Sequence, residues 1–356
     1  MAKKKQSKPR VIVAADVGGT RARFVLLDET GAATHAEKVL DSRAFATFED
    51  ALAEFLNMAR SSLGERAVKK IAAASFGIAG PVVKQRVKTT NLPWVIDGEV
   101  VADRFGIGRV TLLNDLVAVG FGALASPPSK IKVVHRGKPK REGGNVAVIA
   151  AGTGLGEAAF VWDGAHHVPL ATEGSHVDFA PRTSEEAALA ANLAERYGHV
   201  SYERIASGST IGDIYNFFVH DCGVRESAKA AGIVEKAADR NVAVIDLAES
   251  QQSEAARRAM DLWMSVYGAE AGNLALKTLA TAGVFVCGGV SARLARALRE
   301  GIRPSAPAAV SPFVAAFLDK GRMRPLLERV PVAVCIDPLV GLRGAASHAS
   351  QVALGR

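Results

Sequence analysis

The sequence predicts an α/β fold in two domains, on three observations. Two β-hairpin patterns lie about 135 residues apart and read as copies of one unit. Downstream of each, β-rich apolar runs alternate with segments of helical period, as in layered α/β proteins. A length of 356 residues, 49% hydrophobic and 22% charged, suits two domains with a sizeable core.

The first hairpin is VIVAADVGGTRARFVLLD (residues 11–28) and the second VAVIAAGTGLGEAAFVWD (residues 146–163). Each runs from a β-rich stretch through a Gly/Thr loop into a second β-rich stretch ending in Asp. Phe48, Leu52, Phe55, Leu56 and Ala59 recur at helical spacing and predict a helix over 45–62. IAAASFGIAG (71–80) reads as a buried strand halted by Gly80 and Pro81, TTNLPW (89–94) as a loop, and 98–105 as a charged helix. VTLLND (110–115) is a strand running into the helical LVAVGFGALA, and Pro127, Pro128 and Ser129 mark a junction. Later, 185–197 and 253–279 read as helices, GVFVCGG (283–289) as a strand with a helix from Ser291, VPVAVCI (330–336) as a strand, and GLRGAASHA as the closing helix. On the long helix, Leu262, Val266, Ala269 and Asn273 read as core, with a homodimer surface as the alternative.

The formal charge of +8 suggests a nucleic-acid binder until it is located. Lys3, Lys4, Lys5, Lys8 and Arg10 supply much of it, leaving about +3, and residues 1–10 read as a disordered basic tail. A second cluster, Lys130, Lys132, Arg136, Lys138, Lys140 and Arg141, reads as a loop. Neither interleaves aromatics, which are 6% overall, so no nucleic-acid partner is expected. Cys222, Cys287 and Cys335 form no CxxC pair, which argues against a disulfide framework or a zinc site and fits a reducing compartment. With neither a signal-peptide pattern nor a run of membrane-spanning length, the expectation is no membrane partner and a cytoplasmic location.

Glycine lets backbone approach a ligand closely, and successive N–H groups in such a turn make an anion nest. Two such loops, each with a Thr hydroxyl, point to a nucleotide polyphosphate. Asp16 beside the first would repel phosphates unless a cation lay between, which is how Mg²⁺ is usually placed. Asn114 and Asp115 end a strand, where α/β proteins put ligand groups. Asp115 is either the cap of the next helix or a general base taking the proton of an attacking hydroxyl, with Asn114 bonding a neighbouring hydroxyl. EGSHVDFAPR (173–182) gathers Glu173, His176 and Asp178; without a second Glu-x-x-His, sugar hydroxyls suit the set better than a metal. Glu203 in SYERIASGST is not singled out by spacing. Gly288 and Gly289 lie between a strand and a helix, a turn that admits a nucleotide.

The chain resembles bacterial glucokinases of the group without a zinc motif, within the actin-like sugar-kinase superfamily. The markers are DVGGT, TNLPW, LLNDLVAVGFG, AGTGLG, EGSHVDFAPR, YERIASG and VCGGVSARL, in that order over nearly the whole chain. The resemblance implies two ribonuclease-H-like domains with an interdomain cleft and hinge, a small one from 11–125 plus 338–356 and a large one from 126–337. It implies ATP-dependent phosphorylation of D-glucose at the 6-hydroxyl, with closure excluding water. Asp115 would be the base, and Asn91, Asn114, Glu173, His176 and Glu203 would bind sugar with it. Asp16, Val17, Gly18, Gly19 and Thr20, with Gly152, Thr153 and Gly154, would hold the ATP phosphates. Asp16 would hold Mg²⁺ through water, and Gly288 and Gly289 would lie along the adenosine. Three positions depart from the family pattern: Arg21 for Asn, Ser175 for the second Gly of Glu-Gly-Gly-His, and Thr210 for a Gly after YERxxSG. Another hexose (mannose, glucosamine or fructose) as substrate, or a sugar sensor without turnover, are the alternatives. Sensors of this superfamily carry an N-terminal helix-turn-helix and a Cys-rich motif that these residues do not show.

Overall fold

Both hairpins seed sheets of the same design in the computed structural model, which describes residues 10–68, 70–138, 143–302 and 310–355. Residues 1–9 of the basic tail, with Lys140 and Arg141, lie outside the described residues. The chain divides into two units, Met1–Ser126 with Leu339–Arg356, and Pro127–Pro338.

In the first unit, β1 (Val11–Val17), β2 (Arg21–Asp28) and β3 (Thr34–Asp41) form an antiparallel meander. Helices α1 (Phe48–Leu63) and α2 (Glu65–Val68) lead to β4 (Ile71–Ile78), which returns parallel to β1. A small sheet of β5 (Val82–Val83), β6 (Arg86–Lys88) and β7 (Val95–Asp97) precedes α3 (Gly98–Phe105), β8 (Val110–Asn114) and α4 (Asp115–Ala125). The main sheet runs β3-β2-β1-β4-β8. Its parallel register sets Val17 opposite Ile78 and Ile78 opposite Asn114, so the first Gly/Thr loop and the 114–115 pair leave the same sheet edge.

Helix α1 starts where the Thr47 hydroxyl accepts the Asp50 N–H (3.1 Å). Its stripe Phe48, Leu52, Phe55, Leu56 and Ala59 is wholly buried, with Phe24 and Phe76 among its partners. On the opposite sheet face lies the C-terminal helix, Val340–Leu354, burying Leu342, Ala345 and Ala349 against Ile12, Ala14, Val25 and Ala73. It crosses α4 at backbone contact: a Cβ at Gly122 would overlap the Val340 carbonyl, and one at Gly344 would overlap that of Ala118.

The second unit repeats the plan. After β9 (Ile131–His135), β10 (Val146–Ala151), β11 (Leu155–Trp162) and β12 (His167–Thr172) form the meander. Helices α5 (Ser184–Tyr197), α6 (Glu203–Ala206), α7 (Ile211–Asn216), α8 (Ala228–Lys236), α9 (Arg240–Glu249) and α10 (Glu254–Lys277) follow. Strand β13 (Gly283–Cys287) returns parallel to β10, as β4 does to β1. The rest is α11 (Gly289–Arg293), α12 (Ala295–Glu300), α13 (Pro312–Leu318), α14 (Arg324–Leu327) and β14 (Val332–Cys335). The sheet order is β12-β11-β10-β13-β14-β9. Leu262, Val266 and Ala269 of α10 are buried within this unit, the core reading.

Two sequence expectations are corrected. Lys132, read as part of a basic loop, lies in strand β9, which pairs antiparallel with β14; a partner some two hundred residues away leaves no local trace. The helix expected from Ser291 begins at Gly289, because Gly288 at φ 92° turns the chain as soon as β13 ends.

Candidate active site

In the first unit the loop after β1 closes with Gly18 N–H donating to the Arg21 carbonyl (2.9 Å). Buried Ser42 ties it from outside, its hydroxyl donating to the Gly18 carbonyl (2.9 Å) and its N–H to that of Thr20 (3.0 Å). Gly19 is needed for a protein contact: a Cβ there would lie 2.6 Å from Cβ of Asn91. The glycine thus brings the backbone of this loop up to the TNLPW loop. That loop is held by Thr89, whose hydroxyl donates to the Leu92 carbonyl (2.8 Å), and by buried Trp94, whose indole donates to the Phe45 carbonyl (3.2 Å).

Val17 is buried at the end of β1, while Asp16 retains some exposure and Thr20 is exposed. Burial raises the pKa of Asp16 above the ordinary carboxylate value, with the Arg23 charge opposing. Gly341 of the C-terminal helix makes room for this carboxylate, since a Cβ there would stand 2.9 Å from Oδ2. A partly desolvated carboxylate beside a glycine loop fits Mg²⁺, which takes one or two carboxylates and fills its remaining positions with water and phosphate oxygens.

At the end of β8 the two adjacent side chains divide their work. Asn114 is the cap of α4, its Oδ1 accepting the N–H groups of Leu116 (2.9 Å) and Val117 (3.4 Å) while Nδ2 donates to the Gly80 carbonyl (3.2 Å). Asp115 is the first helical residue, and its Oδ1 also accepts the Leu116 N–H (3.0 Å). The capping role considered for Asp115 belongs mainly to Asn114.

In the second unit the loop after β10 closes similarly, Gly152 N–H donating to the Gly154 carbonyl (2.8 Å). The Ser209 hydroxyl donates to the Thr153 carbonyl (2.7 Å), and Gly208 N–H to that of Gly152 (2.8 Å). Glu203, at the start of α6, accepts the Leu155 N–H on Oε2 (2.9 Å); a Cβ at Gly154 would be 2.5 Å from the same oxygen. Gly19 and Gly154, equivalent in the two hairpins, therefore each admit a candidate sugar-binding side chain, Asn91 and Glu203.

Glu203, His176 and Glu173 come together. His176 Nδ1 stands 3.8 Å from Glu203 Oε1, and Nε2 stands 3.9 Å from Glu173 Oε2. Glu173 and His176 are exposed, whereas Ser175 between them is buried. Asp178 leaves the group and accepts from His199 (2.9 Å). Thr210 is also buried, donating to the Ile205 (2.7 Å) and Ser207 (2.8 Å) carbonyls, while Arg21 is exposed at the start of β2. Ser175 and Thr210 are thus both buried in their turns. Gly288 caps α11 against β10, where a Cβ would overlap the Ala151 carbonyl, and Gly289 has open space where a side chain would be.

Sequence reasoning passed over Ser42, Ser209, Gly341 and Glu157. The first two are ordinary turn serines in a sequence window, and the other two matter through residues remote in the chain.

Among the described residues, no helix is long and apolar enough to cross a membrane, and no group of three or more His, Cys, Asp or Glu could hold a metal. The glucokinase family model matches residues 13–352. A glucokinase of Nostoc punctiforme is 33% identical over 96% of this chain and 99% of its own, and one of Synechocystis is 35% identical over 95% and 98%. A crystal structure of a glucokinase from an Antarctic psychrotroph superposes with a TM-score of 0.77 at 26% identity, covering 95% of this chain and 98% of that one. Matched end to end in sequence and in the doubled hairpin–sheet design, the chain belongs to the glucokinase family, enzymes that phosphorylate glucose.

Proposed function

We propose that Asp115 is the general base of an ATP-dependent phosphorylation of D-glucose at its 6-hydroxyl, and that Asn91, Asn114, Glu173, His176 and Glu203 bind the sugar. The observation that carries this reading is the division of work at 114–115: Asn114 accepts both capping N–H groups, of Leu116 and Val117, while Asp115 shares only that of Leu116, so most of the capping of α4 falls to Asn114. The Asp115 carboxylate takes the hydroxyl proton, the sugar oxygen bonds to the terminal phosphorus, and the bond from phosphorus to its bridging oxygen breaks to release ADP. Carboxylates at 173 and 203 accept from sugar hydroxyls, and the imidazole at 176 can donate or accept, which orients the ring. The two loops at 16–20 and 152–154, with Gly288 and Gly289, take the nucleotide. Mg²⁺ at Asp16 would neutralise phosphate charge.

ADP release from Mg·ATP, measured with and without glucose and with mannose, fructose and glucosamine alongside, tests this reading. Strong stimulation by glucose supports it. No stimulation by any sugar, with glucose still bound, would reduce Asp115 to a helix residue and the chain to a sensor.

A further inference from the structure

Glu157 is a carboxylic acid in the middle of a strand, two residues past the amide that Glu203 binds and on the same face as Leu155. It is 2% exposed. In the β11–β12 ladder it stands opposite Thr172, the residue before Glu173. Its Oε2 fills the space a side chain at Gly174 would need, so the Glu173–His176 turn rests directly on this carboxyl. Its Oε1 is buried with no hydrogen-bond donor. Glu270 of α10, fully buried, is the neighbouring carboxylate. From Glu270 the polar chain continues through Asn273, whose Nδ2 donates to Glu270 Oε2 (2.7 Å) and to the Tyr202 hydroxyl (3.0 Å), and Tyr202 adjoins Glu203.

We infer that Glu157 is a positioning residue for glucose, tying the Glu173–His176 turn to the buried face of α10 that also anchors Tyr202 and hence Glu203. The inference rests on the assignment of those three side chains to the sugar. Two buried carboxylates without a donor between them coexist only if one keeps its proton. Burial first and then the Glu270 charge push the pKa of Glu157 up to about 8, against the opposing pull of Lys277. Lys277 pairs with Glu270 (3.2 Å), and Lys320, which donates to Asn273 Oδ1 (2.7 Å), is itself lowered to about 8 by burial, with Arg182 also lowering it. Buried Tyr267 faces Glu157 from α10 as well, and burial raises the pKa of both Tyr202 and Tyr267. Glu173 and His176 belong to the turn itself, Nε2 of His176 standing 3.9 Å from Oε2 of Glu173. Above the point where Glu157 ionises, two like charges push the turn and α10 apart, and the sugar ligands lose their placing. Chemistry at Asp115 does not pass through this contact.

Glucose KM and kcat are measured from neutral pH to about 9.5 in the full chain and four variants. In the wild type, glucose KM rises several-fold above about pH 8 while kcat changes less. Glu157→Gln, whose amide donates as the protonated acid does, keeps a normal neutral KM and removes most of the rise. Lys320→Arg, which stays charged, keeps the rise. Glu270→Gln also removes it and carries the same test should Glu157→Gln fail to fold. A rise of equal slope in Glu157→Gln or Glu270→Gln, or a flat wild-type profile, overturns the inference. Glu173→Gln with unchanged glucose affinity overturns instead the site assignment beneath it.

Discussion

Asn114 and Asp115 adjoin in sequence, yet Asn114 takes most of the capping of the helix, and this separation makes the residue-scale experiments sharp. Asp115→Asn preserves shape and, with Asn114 still capping α4, should fold and bind glucose normally. Loss of a general base costs about 10²–10⁴-fold in turnover. We expect kcat to fall in that range with the glucose Kd from calorimetry little changed; near-normal turnover would remove Asp115 as the base. Glu173 is exposed, and in the proposed sugar site its carboxylate accepts from hydroxyls, so Glu173→Gln would replace a charge-assisted bond by a neutral one. Such bonds contribute about 1.5–3 kcal/mol, and the loss should appear mainly in glucose affinity, with kcat less affected. Steady-state kinetics at saturating nucleotide would separate the two effects.

At the scale of elements, the C-terminal helix completes the first unit and reaches both halves of its candidate chemistry. Gly341 makes room for the Asp16 carboxylate, and Gly344 meets the α4 backbone. Gly344→Ala would force these helices apart, because its Cβ would meet the Ala118 carbonyl and stand 2.5 Å from the Gly122 nitrogen. Overpacking of this kind costs about 1–3 kcal/mol. A lowered thermal midpoint should follow, with a loss of activity larger than the residue's distance in sequence from any motif suggests. A midpoint and kcat equal to the wild type would mean that the crossing relaxes without cost. The two hairpin loops make the companion case, since Gly19 and Gly154 each leave room for a protein neighbour, Asn91 and Glu203.

For the whole molecule, the two units carry buried ionisable groups whose effects on stability run in opposite directions with pH. His348 in the first unit bonds Ser75 through Nδ1 (2.8 Å) and lies tilted against Phe121, and burial first and then the Arg109 charge lower its pKa to about 4 from 6.5. Between those values the unfolded chain holds the extra proton, so stability rises with pH there and is lost as pH falls from 6.5 through 4. The contribution at neutral pH is on the order of 3 kcal/mol. Glu157 in the second unit has a raised pKa: its stabilisation is full below 4.5 and is lost as pH rises through about 8. Hydrogen exchange followed at several pH values should show the first unit weakening in acid and the second in mild alkali. The acid effect should shrink in His348→Gln and the alkaline one in Glu157→Gln. Uniform loss of protection across both units at both extremes would contradict this account.

Local chemistry carried much of this protein into view. Turn glycines beside β-rich runs marked both hairpins, helical spacing marked α1 and α10, and the ordered motifs marked the family. These signals are written in windows of a few residues, where backbone preference and side-chain period act directly. Only the tertiary structure decided that Lys132 sits in a strand, that Asn114 rather than Asp115 takes the main capping bonds, and that Gly341 stands at Asp16. It alone set the Glu157 carboxyl beneath the turn of Glu173 and beside Glu270. The pairing of β9 with β14, Gly341 at Asp16 and Glu270 beside Glu157 join segments a hundred or more residues apart, which no local window contains, while the capping choice at 114–115 turns on side-chain orientation that residue type alone does not set.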